Sequence, residues 1–144
     1  MTVQTRVYLP LTVDSLRRLG ADGRLEPAPL TAYAVTTDLR REHPTADEEE
    51  LEFLAFTDAA TSSTGAAGGG PAPVVAAADV DADMVTDLLA PAAPVSAVRV
   101  ATALPRRQVA SFHVTELGPV PAGGRPDYSW YDATELEAVL DLLG

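Results

Sequence analysis

Ser111 and His113 lie two residues apart in a stretch, residues 109–114, whose alternation reads as a β-strand. The pattern places both side chains on one face with Val109, opposite Ala110, Phe112 and Val114. A hydroxyl beside an imidazole is where nucleophilic chemistry begins. Two neighbours on a strand face do not by themselves make a nucleophile and its base, and no Gly-x-Ser-x-Gly elbow surrounds any serine. The only other histidine, His43, precedes Pro44 in a connector and is expected in solvent. Two histidines and no cysteine leave no zinc site of ordinary composition, no disulfide and no thiol nucleophile.

Acidic residues cluster twice. Asp79, Asp81 and Asp83 are spaced like the start of a calcium loop, but the sixth and twelfth positions hold Met84 and Ala90 instead of Gly and Glu. A strand end followed by helix-capping acids is the simpler account. Asp47, Glu48, Glu49 and Glu50, with Glu52, sit where a helix should begin, and carboxylates suit the free amides there. Gly68, Gly69 and Gly70 lack the lysine and the strand-to-helix setting of a phosphate loop.

Three arginine pairs stand out: Arg17 and Arg18, Arg40 and Arg41, Arg106 and Arg107. The first two fall near expected helix C-termini, where cations meet the negative end of the dipole. Brought together, the pairs would make an anion site. Tyr128, Trp130 and Tyr131 hold three of the eight aromatics within four residues. They either anchor the last helix or form a half-wet binding face, a setting that Tyr and Trp tolerate. The expected binding surface therefore comprises Tyr128, Trp130, Tyr131, His113, Ser111, Arg106 and Arg107. No catalytic, cofactor or metal residue is assigned.

The elements that must position these groups alternate between strand and helix. Residues 6–11 alternate, with Val7, Leu9 and Leu11 on one face and Arg6, Tyr8 and Pro10 on the other. Thr12 offers a cap to a helix with Val13, Leu16 and Leu19 as its stripe, stopped by Gly20 or Gly23. Residues 24–30 read as a loop and 31–36 as a second strand, followed by a short helix from Thr37. Thr45 and Glu48 have capping-box spacing for a helix over about 46–60, striped by Leu51, Leu54 and Ala55 and widened by Phe53 and Phe56.

Residues 61–73 are rich in Gly, Pro and Ser and are expected to be a flexible loop. Residues 74–78 form a continuous apolar run, the mark of a strand buried on both faces. A short helix over 83–89, a fourth strand over 95–101, a turn at 104–107 and the fifth strand at 109–114 follow. The brevity of the link between the last two suggests that they pair. After a loop over 117–127 comes an aromatic strand at 128–131. Asp132 and Glu135 then cap a helix with Leu136, Val139, Leu140 and Leu143 at i, i+3, i+4 and i+7. The fold class is α/β: one domain over 1–144, with a mixed sheet of five or six strands layered with three or four helices.

The chain has 144 residues, enough for one ordinary domain. It is 47% apolar, but 25 of its residues are Ala, so the core rests on 17 Leu and 15 Val. Lys, Asn and Ile are absent, which removes Schiff-base chemistry. Ten Arg face 21 acidic residues, a net charge of −11 that repels phosphate backbones and anionic lipid. Solubility explains such a surface first, and attraction of a basic partner second. No apolar run has the length of a membrane span, and the first eleven residues do not read as a signal peptide. A cytoplasmic location is expected.

Arg6-Val-Tyr-Leu-Pro-Leu-Thr12, Thr31-Ala-Tyr-Ala-Val-Thr36, Asp47-Glu-Glu-Glu-Leu-Glu52, Val74-Val-Ala-Ala-Ala-Asp79 and Trp130-Tyr131 follow one another in the chain. In this order they resemble an uncharacterised family of small actinobacterial proteins, a domain of unknown function. The resemblance implies a bacterial cytoplasmic source and brings no activity, cofactor or catalytic residue.

The sequence thus favours a non-catalytic domain that binds another protein or itself, with no cofactor, nucleic acid or membrane. The alternative is an anion-binding protein or small enzyme built at the strand ends. Thr12, Thr36, Asp79, Thr115 and Asp132 would converge there in a parallel sheet.

Overall fold

The structure, a computed structural model, describes residues 3–26, 28–61, 74–89, 93–115 and 128–143. The expected loops at 61–73 and 117–127 lie almost wholly outside them. Strand β1 (Gln4–Leu11) alternates as its sequence requires, and its buried Val7, Leu9 and Leu11 share a face. Thr12 then caps helix α1 (Val13–Asp22), its hydroxyl accepting from the Ser15 N–H at 3.0 Å. The helix ends at Gly23, whose φ of 76° is the left-handed geometry that glycine adopts without strain. Gly20 does not stop α1 but lies inside it. A Cβ there would sit 3.3 Å from Leu140 Cδ1, so the missing side chain lets α4 (Leu136–Leu143) approach.

The expected loop at 24–30 contains a two-residue strand, β2 (Arg24–Leu25), which pairs with β7 (Leu104–Pro105). Strand β3 (Leu30–Ala34) leads to helix α2 (Thr37–Glu42), capped by Thr36. Helix α3 (Glu48–Ala60) starts two residues later than its sequence suggested. Its cap is Asp47, not the expected Thr45: the Asp47 carboxylate accepts from the Glu50 N–H at 2.8 Å. Strand β4 (Val74–Asp81) is buried along both faces, as its continuous apolar run requires.

Residues 83–89 are not a helix. A 3-10 turn at Ala82–Met84 gives way to strand β5 (Val85–Asp87), in which the β-branched Val85 and Thr86 pair with β6 (Ala97–Val100). After β7 and the 3-10 turn Arg106–Gln108 comes β8 (Val109–Thr115), then β9 (Tyr128–Asp132). Asp132 and Glu135 form the expected capping box ahead of α4.

The α/β layering holds, but the sheet is larger than expected and uniform in direction. Seven strands run in the order β5-β6-β3-β1-β4-β8-β9, and every pairing is antiparallel. β6 and β8 do not pair. The short link between them is taken up by the β2–β7 ribbon, and β8 joins the opposite half of the sheet beside β4.

Helices cover both faces. On one, Leu16 and Leu19 of α1 and Leu136 and Val139 of α4 pack on Val7, Leu9, Ala76 and Phe112. On the other, Leu39 of α2 and Leu51, Ala55 and Ala59 of α3 pack on Tyr8, Tyr33, Val75 and Ala77. The register of β4 with β8 shifts between Ala77 and Ala78: Ala77 faces Ser111 and Ala78 faces Val109. Ala110 is the extra residue of this bulge. It moves Val109 to the face of Phe112 and Val114, not the face of Ser111 and His113.

Candidate functional site

The antiparallel registers lay out the α3 face of the sheet as a grid. Tyr8, Ala77, Ser111 and Asp132 form one row across β1, β4, β8 and β9. Pro10, Val75, His113 and Trp130 form the next, and Arg6 faces Asp79 in the row on the other side. Helix α3 crosses β1 and β4 but does not cover the far edge of this grid. The gap between them is a groove of about 380 Å³, floored by Ala77, Ser111 and His113. Phe53 and Phe56 line its helix side, Trp130 its sheet edge, and Glu49, Glu52 and Arg6 its polar end.

Alanine at position 77 matters here, because a larger residue on β4 would raise the floor. Phe56 meets Tyr8 edge-on at 5.9 Å and His113 at 4.9 Å between ring centroids. Trp130 is 62% exposed and Phe53 51% exposed.

Helix α3 presents two stripes. Leu51, Ala55 and Ala59 face the core. Glu49, Glu52, Phe53 and Phe56, at i, i+3, i+4 and i+7, line the groove. By local pattern alone the two phenylalanines belong to the core stripe and the glutamates to the helix start. The second stripe, with its own helical period, was the signal available to find them.

Charges divide unequally over the groove. Arg6 holds Asp79 in a bidentate pair at 2.8 and 3.1 Å, an arrangement that raises the Arg6 pKa further. Arg40 on α2 grips Glu48 in the same way at 2.8 and 2.9 Å. Glu49 and Glu52 make no ion pair among the described residues. Burial, with Glu52 nearby, pushes the Tyr8 phenol up to about 12. Burial, reinforced by the Arg6 charge, lowers the His113 imidazole below its usual range and favours its neutral form at pH 7.

Ser111 Oγ and His113 Nε2 lie 3.2 Å apart, a hydrogen bond whose donor is set by the imidazole tautomer. This does not amount to a nucleophile and its base. Ser111 is only 5% exposed, and its position in β8 pairs with Ala77 of β4 on one side and Asp132 of β9 on the other, so its hydroxyl is shielded from a substrate.

Of the seven residues expected to form one surface, the six whose side chains are described divide between two. Ser111, His113 and Trp130 share the groove. Tyr131 pairs with Phe112 on the opposite face and packs against the core under α1 and α4. The two roles open to the aromatic segment are therefore divided: Tyr131 packs toward the core because α4 returns over its side of β9, and Trp130 is left exposed on the groove side. Arg106 lies 3.5 Å from Glu137 of α4, far from the groove, with Arg107 beside it in the same 3-10 turn. The Tyr128 side chain lies outside what is described.

The arginine pairs do not converge either. Arg17 and Arg18 ride on α1 and Arg40 and Arg41 on α2, on opposite faces of the sheet. Nor do the strand ends make a site. Thr12 and Thr36 follow antiparallel neighbours, so they stand at opposite ends of the sheet, and each is engaged as a helix cap. Asp79 is taken by Arg6 and Asp132 by the α4 cap, while the Thr115 side chain is outside what is described. Among the described residues no acidic or histidine cluster could hold a metal ion, and no helix is long and apolar enough to cross a membrane.

Residues 5–140 match the model of a family of unknown function, DUF6912. No curated protein and no solved structure matches the chain.

Proposed function

The chain belongs to DUF6912, a family of unknown function, and from its own geometry we propose that it is a non-catalytic binding domain that holds a segment of a partner protein in the groove between α3 and the β8–β9 edge. The observation behind this is the placement of its exposed aromatics. The chain has one Trp and three Phe. Trp130 and Phe53 face each other across the groove while more than half exposed. Large aromatics that keep half or more of their surface in solvent beside a concave floor are the usual anchors of protein recognition. The floor is polar but chemically quiet: a buried serine, a histidine favoured neutral and a phenol that keeps its proton. A shallow groove open to solvent suits a segment of a protein better than an enclosed small molecule.

Panning a random peptide library on the immobilised protein tests this. The expected result is an enriched pool that binds the wild type and is lost on Trp130→Ser and on Phe53→Ser, two exposed positions whose replacement leaves the fold intact by circular dichroism. A pool indifferent to both substitutions, or no pool at all, would overturn the proposal.

A further inference from the structure

We propose that the segment taken by this groove is basic, with an arginine or lysine side chain laid across Trp130 and its charge held between Glu49 and Glu52. The inference rests on the groove being a docking surface and adds the chemistry of its partner.

The charge of the groove carries it. Its ionised side chains are Arg6, Glu49 and Glu52, with Asp79 paired to Arg6. Arg6 and Asp79 cancel, which leaves the two glutamates, a local charge of −2. Neither makes an ion pair among the described residues, and the one cation whose charge reaches Glu52, Arg6, is already held by Asp79. Arg40, which lines the adjoining polar recess together with Glu52, is fixed on Glu48 by both guanidinium arms. His113 supplies no compensating charge at pH 7, since burial and Arg6 both disfavour its protonated form.

A cation entering here meets two carboxylates one helical turn apart and the face of an exposed indole. Its aliphatic stem lies along Phe53 and Phe56, as long basic side chains prefer. An acidic segment meets the same carboxylates unpaired, so the site discriminates by repulsion as well as attraction. The chain as a whole, at −11, draws basic partners toward it over longer range. A second copy of this chain would have to approach against that same charge.

The same library, sequenced after selection, provides the test. Selection at about 50 mM salt is expected to enrich Arg and Lys about threefold or more over the input, and selection at about 500 mM salt to abolish the enrichment. The double variant Glu49→Gln, Glu52→Gln should lose the basic pool while still selecting Trp130-dependent neutral peptides. A selected pool that needs Trp130 but is neutral or acidic would overturn the basic partner and leave the docking groove standing. No Trp130-dependent pool at any salt would remove both. Light scattering settles the remaining occupant: a dimer that dissociates on Trp130→Ser would replace the basic segment with a second copy.

Discussion

Replacing Leu136 by Ala should cost about 3–5 kcal/mol, a large share of the stability of an ordinary domain. Leu136 is fully buried at the start of α4 and packs with Val139 against α1. Removing three carbon atoms forfeits about 2.4 kcal/mol at about 0.8 kcal/mol each. The remainder comes from the cavity, which this site fills poorly. The facing residue on α1 is Gly20, which has no side chain to swing into the space. Leu140 already lies close to that glycine, and the capping box of Asp132 and Glu135 fixes the start of the helix.

Urea unfolding followed by circular dichroism at constant slope is the assay, with an expected midpoint shift of about 2 M and a fall in Tm of roughly 10–15 °C. Leu142→Ala, on the same helix but 51% exposed, is the control and should change stability by less than about 0.5 kcal/mol. If Leu136→Ala cost less than about 1 kcal/mol, or no more than the control, α4 would not be part of the core.

Other outcomes follow from the same structure. Gly23→Ala should cost about 1 kcal/mol through the positive φ alone, since nothing lies within 4 Å of the added Cβ, and Gly23→Asn should cost less; equal stability of all three proteins would contradict the αL cap. Tyrosine absorbance should show one phenol titrating near pH 12, and this one should move to the ordinary range only on unfolding. Because the folded pKa of Tyr8 exceeds the unfolded one, its contribution to stability is complete below about pH 10 and is lost as pH rises toward 12. Four phenols titrating together near pH 10 would contradict that burial.

The elements visible in the sequence are those whose own residues decide them. The alternation of Val7, Leu9 and Leu11, the unbroken run from Val74, and the stripe of Leu136, Val139 and Leu140 each state a period and a buried face. What stayed hidden depends on distant partners. Residues 85–87 are a strand only because β6 lies alongside, and their flanking acids looked like helix caps. The strand count and the antiparallel direction rest on the same non-local pairings. One extra residue at Ala110 reversed the face assigned to Val109.

Parity along β9 separated Trp130 from Tyr131 but could not say which side α4 would cover. The groove was half legible. Ser111, His113 and Trp130 were named from the strands. Glu49, Glu52, Phe53 and Phe56 were seen as a helix start and a core stripe because nothing local shows that α3 crosses the sheet short of its edge.

The most direct test of the docking groove is an amide NMR titration with a Trp130-dependent peptide from the selected pool. The groove predicts shifts that saturate together on residues 49–56, on Ser111 and His113, and at Trp130, including its indole N–H. Shifts centred instead on α1, α4 or the β2–β7 ribbon, with the Trp130 indole unmoved, would place the binding surface on the opposite face and contradict the account.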